Sequence, residues 1–349
     1  MGRHQGRQAR RRGDRELSAS SGAHRARTDG DWSASHTRTE RRPGAQGARI
    51  DCGLEAMMKR ILAATDFSAS AQLAVDRAGQ LARAWGARLD LLHVPAQGRW
   101  PQGGGLLDRY LPGGNLTSLD DAHLRLSTLA AALARRFRVK AEAHVIPGHP
   151  GDEITAFAAA READLIVSGV RGEGATRAGA IGGTALKVLW QALRPVLLVR
   201  TPVETAYRRV LFATDLSERA RDAAVRTAAL WPKAGLSLVH AFQAEHEPLL
   251  LLSGIRPAAL REYRAECAAQ AAEALDAFRA SVQGDGRRRI AEYLVPAHPV
   301  PAVLKACTEL RAELVVIGRH GGPHWQERLL GSVAQNLVQQ LKADTLLFP

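Results

Sequence analysis

From residue 59 to residue 349 the chain alternates short, unbroken apolar runs with longer stretches whose apolar positions recur every three or four residues. The first pattern belongs to strands buried on both faces, the second to helices that cover a sheet. The series opens with Lys59-Arg-Ile-Leu-Ala-Ala-Thr-Asp66-Phe-Ser68. Residues 61–64 form a short strand and Asp66 lies just past its carboxyl end. Ser68 is placed to cap a helix that runs to Trp85 and is closed by Gly86. A strand over 88–94 ends at Pro95, and the Gly- and Pro-rich segment 96–118 reads as a loop. A helix to about Arg136, a strand over 141–146, the turn Pro147-Gly148-His149-Pro150 and a helix to Glu162 follow. A strand over 164–169, a glycine-rich stretch over 170–183 and a further helix lead to a last strand over 195–199. Strands alternating with helices imply an α/β fold, a parallel sheet covered on both faces.

The pattern then begins again. Arg209-Val-Leu-Phe-Ala-Thr-Asp215-Leu-Ser217 repeats Arg60-Ile-Leu-Ala-Ala-Thr-Asp66-Phe-Ser68 at an offset of 149 residues. His298-Pro299 repeats His149-Pro150, and Gly318, Gly321 and Gly331 repeat Gly169, Gly172 and Gly182, all at that offset. His240 repeats His93 at an offset of 147, two residues short. An offset held through strands, turns and glycines is the mark of a duplicated unit. The organisation expected is a leader over 1–56, a first domain over 57–200, a linker over 201–207 and a second domain over 208–349.

The second copy carries the fullest motif. The apolar run Leu314-Val-Val-Ile317 leads into Gly318-Arg-His-Gly321-Gly-Pro-His-Trp-Gln-Glu-Arg-Leu-Leu-Gly331-Ser332, and helical spacing resumes at Val333. Strand, glycines and helix start together turn backbone N–H groups toward an anion: glycine permits tight turning and close approach, and the helix N-terminus adds unpaired donors and a favourable dipole. Ser332 adds a hydroxyl where an N-cap would sit. Two residues separate Gly318 from Gly321 and nine separate Gly321 from Gly331. This spacing resembles the nucleotide-binding motif of the universal stress protein family, and the resemblance extends over nearly all of 59–349.

That resemblance implies two tandem open five-stranded parallel sheets, each in the order 3-2-1-4-5, with a site outside the carboxyl ends of the strands where the order reverses. In the second domain it implies that Gly318, Gly321, Gly331 and Ser332 cradle phosphates and ribose. Val333 would line the site, Asp215 would contact the adenosine end, and the backbone at Ala241, after the second strand, would meet adenine. The matching set in the first domain is Asp66, Val94, Gly169, Gly172, Gly182 and Gly183, with glycine at 183 where the second domain has Ser332. Loss of that hydroxyl, worth about 0.5–1.5 kcal/mol, ranks the second site above the first. The implied ligand is ATP, with or without Mg²⁺. Pairing of the two domains through their last strands, over 196–199 and 345–348, would make the chain an internal pseudo-dimer; a homodimer and unidentified protein partners are further expectations.

Composition and charge alter this picture little. Residues 1–56 hold twelve Arg against seven Asp and Glu, a local charge of +5 within a total of +13. They show no apolar periodicity and read as a disordered tail, a basic arm, or a leader preceding a true start at Met57 or Met58. Trp32 is the segment's one aromatic residue and no nucleic-acid module is recognisable, so nucleic acid is not an expected partner. Three scattered cysteines, Cys52, Cys267 and Cys307, suggest neither disulfides nor a zinc pair, and a cytoplasmic setting is the simplest inference. The longest apolar run, Leu249-Leu-Leu-Leu252, is too short to cross a membrane.

No catalytic residues are assigned. No Gly-Lys-Ser/Thr follows either glycine stretch, and neither a nucleophile elbow nor a kinase signature occurs. His320 and His324 have metal-compatible spacing with no converging carboxylate or thiol, so no metal is assigned. His93 and His240 read as structural residues at strand ends, and Asp66 and Asp215 serve equally well as turn-stabilising or ligand-contacting groups. Three functions remain open: a nucleotide-dependent stress-response switch, a nucleotide-free adaptor, and a slow ATPase or autophosphorylating enzyme using Ser332.

Overall fold

The computed structural model describes residues 58–95, 119–172, 181–283, 288–319 and 330–349. The leader, the segment 96–118, Gly321 and the pair His320 and His324 lie outside the described residues. The first half comprises β1 (Arg60–Ala64), α1 (Ala69–Trp85), β2 (Arg88–His93), α2 (Leu119–Phe137), β3 (Ala141–Val145), α3 (Pro150–Ala160), β4 (Leu165–Gly169), α4 (Gly183–Gln191) and β5 (Val196–Val199). The second half comprises β6 (Arg209–Ala213), α5 (Glu218–Leu230), β7 (Gly235–Phe242), α6 (Glu247–Leu252), α7 (Pro257–Gln283), β8 (Ile290–Pro296), α8 (Pro299–Glu309), β9 (Leu314–Gly318), α9 (Ser332–Gln340) and β10 (Asp344–Phe348).

Each half keeps the expected strand order, but the two sheets are continuous: ten strands run β3-β2-β1-β4-β5-β10-β9-β6-β7-β8. Strands within each half are parallel. The seam is antiparallel, with Thr345 opposite Leu198, Leu346 opposite Leu197 and Leu347 opposite Val196. Each last strand thereby covers what would be an open edge of the other half.

The central strands are apolar on both faces because both faces are covered. Ile61 and Ala63 point into one cluster, beneath α1, α2, α5 and α7; Leu62 and Ala64 point into the other, beneath α3, α4, α8 and α9. Both clusters contain residues of both halves, so neither half has a core to itself. Trp85 reinforces the junction, donating from Nε1 to Leu230 O at 3.1 Å and meeting Trp231 edge-on at 5.6 Å.

The run Leu249–Leu252 falls in α6, where Leu249, Leu251 and Leu252 are exposed. Glu247 of α6 pairs with Arg264 of α7, tying the short helix to the long one. Cys267 and Cys307 lie on α7 and α8 as free, half-buried thiols, and burial pushes the Cys307 thiol up. Among the described residues, no helix is long and apolar enough to cross a membrane.

Candidate functional site

The turn after the first strand of each half is built the same way, almost atom for atom. In the first half, Thr65 Oγ1 accepts from Phe67 N at 3.0 Å, Asp66 Oδ1 from Ser68 N at 3.0 Å, and Ser68 Oγ from Ala71 N at 3.2 Å. In the second half Thr214 Oγ1 accepts from Leu216 N at 2.9 Å, Asp215 Oδ1 from Ser217 N at 3.0 Å, and Ser217 Oγ from Ala220 N at 3.2 Å. Short polar side chains thus bond the backbone two or three residues on, which shapes the turn and caps α1 and α5.

The residues between the aspartates and serines adopt left-handed backbone, φ 64° at both Phe67 and Leu216. That conformation costs a non-glycine residue on the order of 1 kcal/mol or more. Sequence periodicity gave no sign of it, although the repeated Thr-Asp-x-Ser tetrapeptide is its local signature.

His93 and His240 fasten these turns from the neighbouring strand. Nδ1 lies 2.8 Å from Thr65 O and 2.9 Å from Thr214 O respectively. A carbonyl oxygen can only accept, so Nδ1 carries the hydrogen in both rings. Two positions depart from expectation: Ala241, expected after the strand, lies inside β7, and His240, expected at the strand's end, lies two residues before it. Ala241 pairs with Val295 and the ladder runs on to Phe242 and Pro296. In the first half Pro95 stops the strand, so that Val94 follows β2 as a buried residue, whereas no proline stands at the corresponding point of the second half.

The glycines gather at the carboxyl ends of β4 and β9. Gly169 and Gly318 are the last residues of those strands, and Gly182 and Gly331 are the N-caps of α4 and α9. Gly182 N donates to Val170 O at 2.8 Å, and Gly331 N to Arg319 O at 3.0 Å. Ser332 is therefore the first residue of its helix and not the cap, which corrects the sequence expectation. The helix begins one position early, and the exposed Ser332 hydroxyl matches the exposed Gly183. Val333 follows in the same turn, half-buried against the core beneath α9.

Neither α4 nor α9 has a side-chain cap bond or an acidic residue in its first turn, in contrast to the serine-capped α1 and α5. Among the described residues, their first N–H groups at the positive dipole ends meet no side-chain acceptor, which suits an anion.

Two site glycines of the first half are closely approached, Gly169 by backbone and Gly172 by the end of a side chain. A Cβ at Gly169 would stand 2.7 Å from the Ser70 backbone, and one at Gly172 would stand 2.5 Å from Asp66 Oδ2. Gly169→Ala is expected to cost about 1–3 kcal/mol, because the obstacle is backbone in the first turn of α1 and cannot rotate away. Urea denaturation checks this, with Gly183→Ala as the neutral control, since a Cβ there meets nothing within 4 Å.

The structure brings Asp66, Gly169, Gly172, Gly182 and Gly183 to one end of the first half's sheet. It brings Asp215, Gly318, Gly331 and Ser332 to the equivalent end of the second. Asp215 is exposed and Asp66 half-buried.

Sequence reading missed the residues that join the two sites to the seam. Arg319, in the middle of the glycine motif, is 5% exposed and donates from Nη2 to Leu189 O at 2.8 Å and to Ala192 O, at the carboxyl end of α4. Arg200 makes the reciprocal contact, donating to Val338 O at the end of α9 and to Thr345 Oγ1 at 3.1 Å. Burial lowers the Arg200 guanidinium to about 10, so it stays charged at neutral pH. A charge at an interior position with a partner more than 100 residues away leaves no periodic signal.

A second polar cluster occupies the sheet near β3, where ligand atoms of Asp90, Glu142 and His144 lie within 4.8 Å of one another. Arg60 stands 3.1 Å from Asp90, and Arg161 stands 3.4 Å from Asp90 and 2.6 Å from Glu142. Two guanidinium groups already balance the two carboxylates, and the cluster reads as an ion-pair network.

The chain matches the family model described as the universal stress protein family over residues 57–200 and again over 206–349. A universal stress protein of Thermus aquaticus is 34% identical over 144 residues, covering 41% of this chain and 100% of that protein. One of Mycobacterium tuberculosis is 27% identical over 144 residues, covering 41% of this chain and 97% of that protein. The crystal structure of a universal stress protein from Archaeoglobus fulgidus shares the fold with a TM-score of 0.58 at 18% identity, covering 82% of this chain and 97% of that one. With both halves matched from strand to seam, the chain belongs to the universal stress protein family as a tandem member.

Proposed function

We propose that this tandem stress protein binds an adenine nucleotide, ATP with or without Mg²⁺, and acts as a nucleotide-dependent switch or adaptor whose main site lies in the second half. The observation that carries the reading is the pair of glycine-capped helix starts, α4 and α9, each at a strand's carboxyl end with no side-chain cap bond. In the second half Gly318, Gly321, Gly331 and Ser332 would hold the phosphates and ribose, Val333 would line the pocket, and Asp215 and Ala241 would meet the nucleoside. Asp66, Val94, Gly169, Gly172, Gly182 and Gly183 form the corresponding first-half set. Ser332 supports the ranking, since its exposed hydroxyl stands where the first half offers only the Gly183 backbone.

A phosphate-length series tests this. A ligand that binds only the folded protein raises its unfolding free energy by about 2.7 kcal/mol at 100 times its Kd. Mg-ATP is expected to raise the melting temperature, ADP and AMP progressively less, and adenosine least at equal concentration. Equal shifts for ATP and adenosine would remove the helix ends from the account. No shift with any of the four would favour the nucleotide-free adaptor.

A further inference from the structure

We propose that Arg319 is a positioning residue of the second-half site, anchored on the first half, so that negative charge at the amino end of α4 is felt at Ser332. The inference rests on the nucleotide reading above. The backbone of Arg319 joins three elements: its N–H donates to Phe348 O at 2.8 Å, its carbonyl accepts from Gly331 N at 3.0 Å, and the residue directly follows β9. It therefore sets where the N-cap of α9 sits. Its guanidinium in turn is fixed by the last carbonyls of α4, Leu189 O and Ala192 O. Leu189 O is one of the unpaired carbonyls at the negative end of the α4 dipole, and Ala192, the C-cap, presents its carbonyl from extended backbone just past the helix. The positive end of the same nine-residue helix is Gly182–Gly183, the first-half candidate site.

One short helix thus carries a candidate anion position at one end and the anchor of the other half's site at the other end. An anion at Gly183 and a cation at Ala192 stabilise the same dipole and the same terminal turns, so each strengthens the other. The arrangement has direction. Val170, the first-half counterpart of Arg319, also accepts from its N-cap glycine, at 2.8 Å, but has no guanidinium to extend across the seam. The return hold on α9 comes from Arg200, which lies after β5 and outside the glycine motif.

The test is calorimetric titration of Mg-ATP into the full chain as wild type, Gly183→Glu, Arg319→Met and the double variant. The second-half affinity is taken as the one that Ser332→Glu removes. Gly183→Glu places a fixed carboxylate at the amino end of α4, in space where a Cβ meets nothing within 4 Å, and blocks phosphate there. It is expected to tighten the second-half site by about two- to fivefold, the size of a helix-terminus charge effect. Arg319→Met is expected to abolish that gain, and Arg319→Lys, with its charge and a single donor group, to restore part of it. An equal gain with Met or Lys at 319 would mean that the charge acts without Arg319 and would overturn the proposal, as would no gain with Arg319 in place. Should Arg319→Met fail to fold, the Lys comparison decides alone. Binding abolished by Gly183→Glu would put the ligand in the first half and overturn the proposal. No binding to the wild type would remove the nucleotide reading itself, and this inference with it.

Discussion

Replacing Asp344 by alanine is expected to cost about 3–5 kcal/mol of stability, the range for stripping one partner from a buried ion pair. Asp344 is fully buried at the start of β10 and organises the linker between the halves. Its Oδ1 accepts from Arg200 N at 2.8 Å and from Thr201 N and Thr201 Oγ1 at 3.0 Å. Its Oδ2 accepts from the Tyr207 hydroxyl and stands 3.5 Å from Arg77 Nε. Tyr207 can serve only as donor here, because burial, reinforced by Asp344, pushes its phenol well above the usual value. Arg77, 3% exposed, also donates to Thr205 O at 3.0 Å and stacks 4.2 Å over the Tyr207 ring. Alanine would leave that guanidinium buried without its counter-charge and the Arg200 and Thr201 N–H groups without an acceptor. Urea unfolding followed by circular dichroism measures the loss; a loss under about 1 kcal/mol would mean that the knot is not a determinant of the junction.

Leu346→Ala is expected to lower stability by about 2–5 kcal/mol and to destabilise both halves together. Leu346 is fully buried opposite Leu197 in the seam, and the cluster containing both extends from Ile61 in β1 to Phe212 in β6. A core shared across the seam makes the halves one cooperative unit. Scanning calorimetry of the variant should show a single transition shifted to lower temperature. Two separated transitions, one unmoved, would contradict the shared core.

Local chemistry was legible in the sequence and remote pairing was not. Thr-Asp-x-Ser, Gly86 and the 149-residue offset announced the turns, the caps and the duplication, because each depends on residues within a few positions or on plain repetition. Strand order and the pairing of 196–199 with 345–348 both follow from the family resemblance, with the covering of an open edge as the physical reason for the second. The helix start at Ser332 was misread by one residue, since glycine and serine are both acceptable caps and only the backbone distinguishes them. The position of Ala241 after its strand comes from the family resemblance alone, and nothing in the local sequence marks that β7 runs on to Phe242. Arg77, Arg200, Arg319 and Asp344 carry no apolar period and meet partners in the opposite half, so nothing in their neighbourhoods marked them as interior.

The central claim is that the amino end of α9 holds the phosphates of an adenine nucleotide. Its most direct test is calorimetric titration of Mg-ATP into the full-length wild type, Ser332→Glu and Gly183→Glu. Both substitutions place a carboxylate at an exposed first helical position, so both should fold. The expected result is saturable binding to the wild type, weakened at least about tenfold by Ser332→Glu, as a like charge beside the phosphates requires. Gly183→Glu should not weaken the second-half site. Undiminished affinity in Ser332→Glu, or no binding to the wild type, would contradict the account.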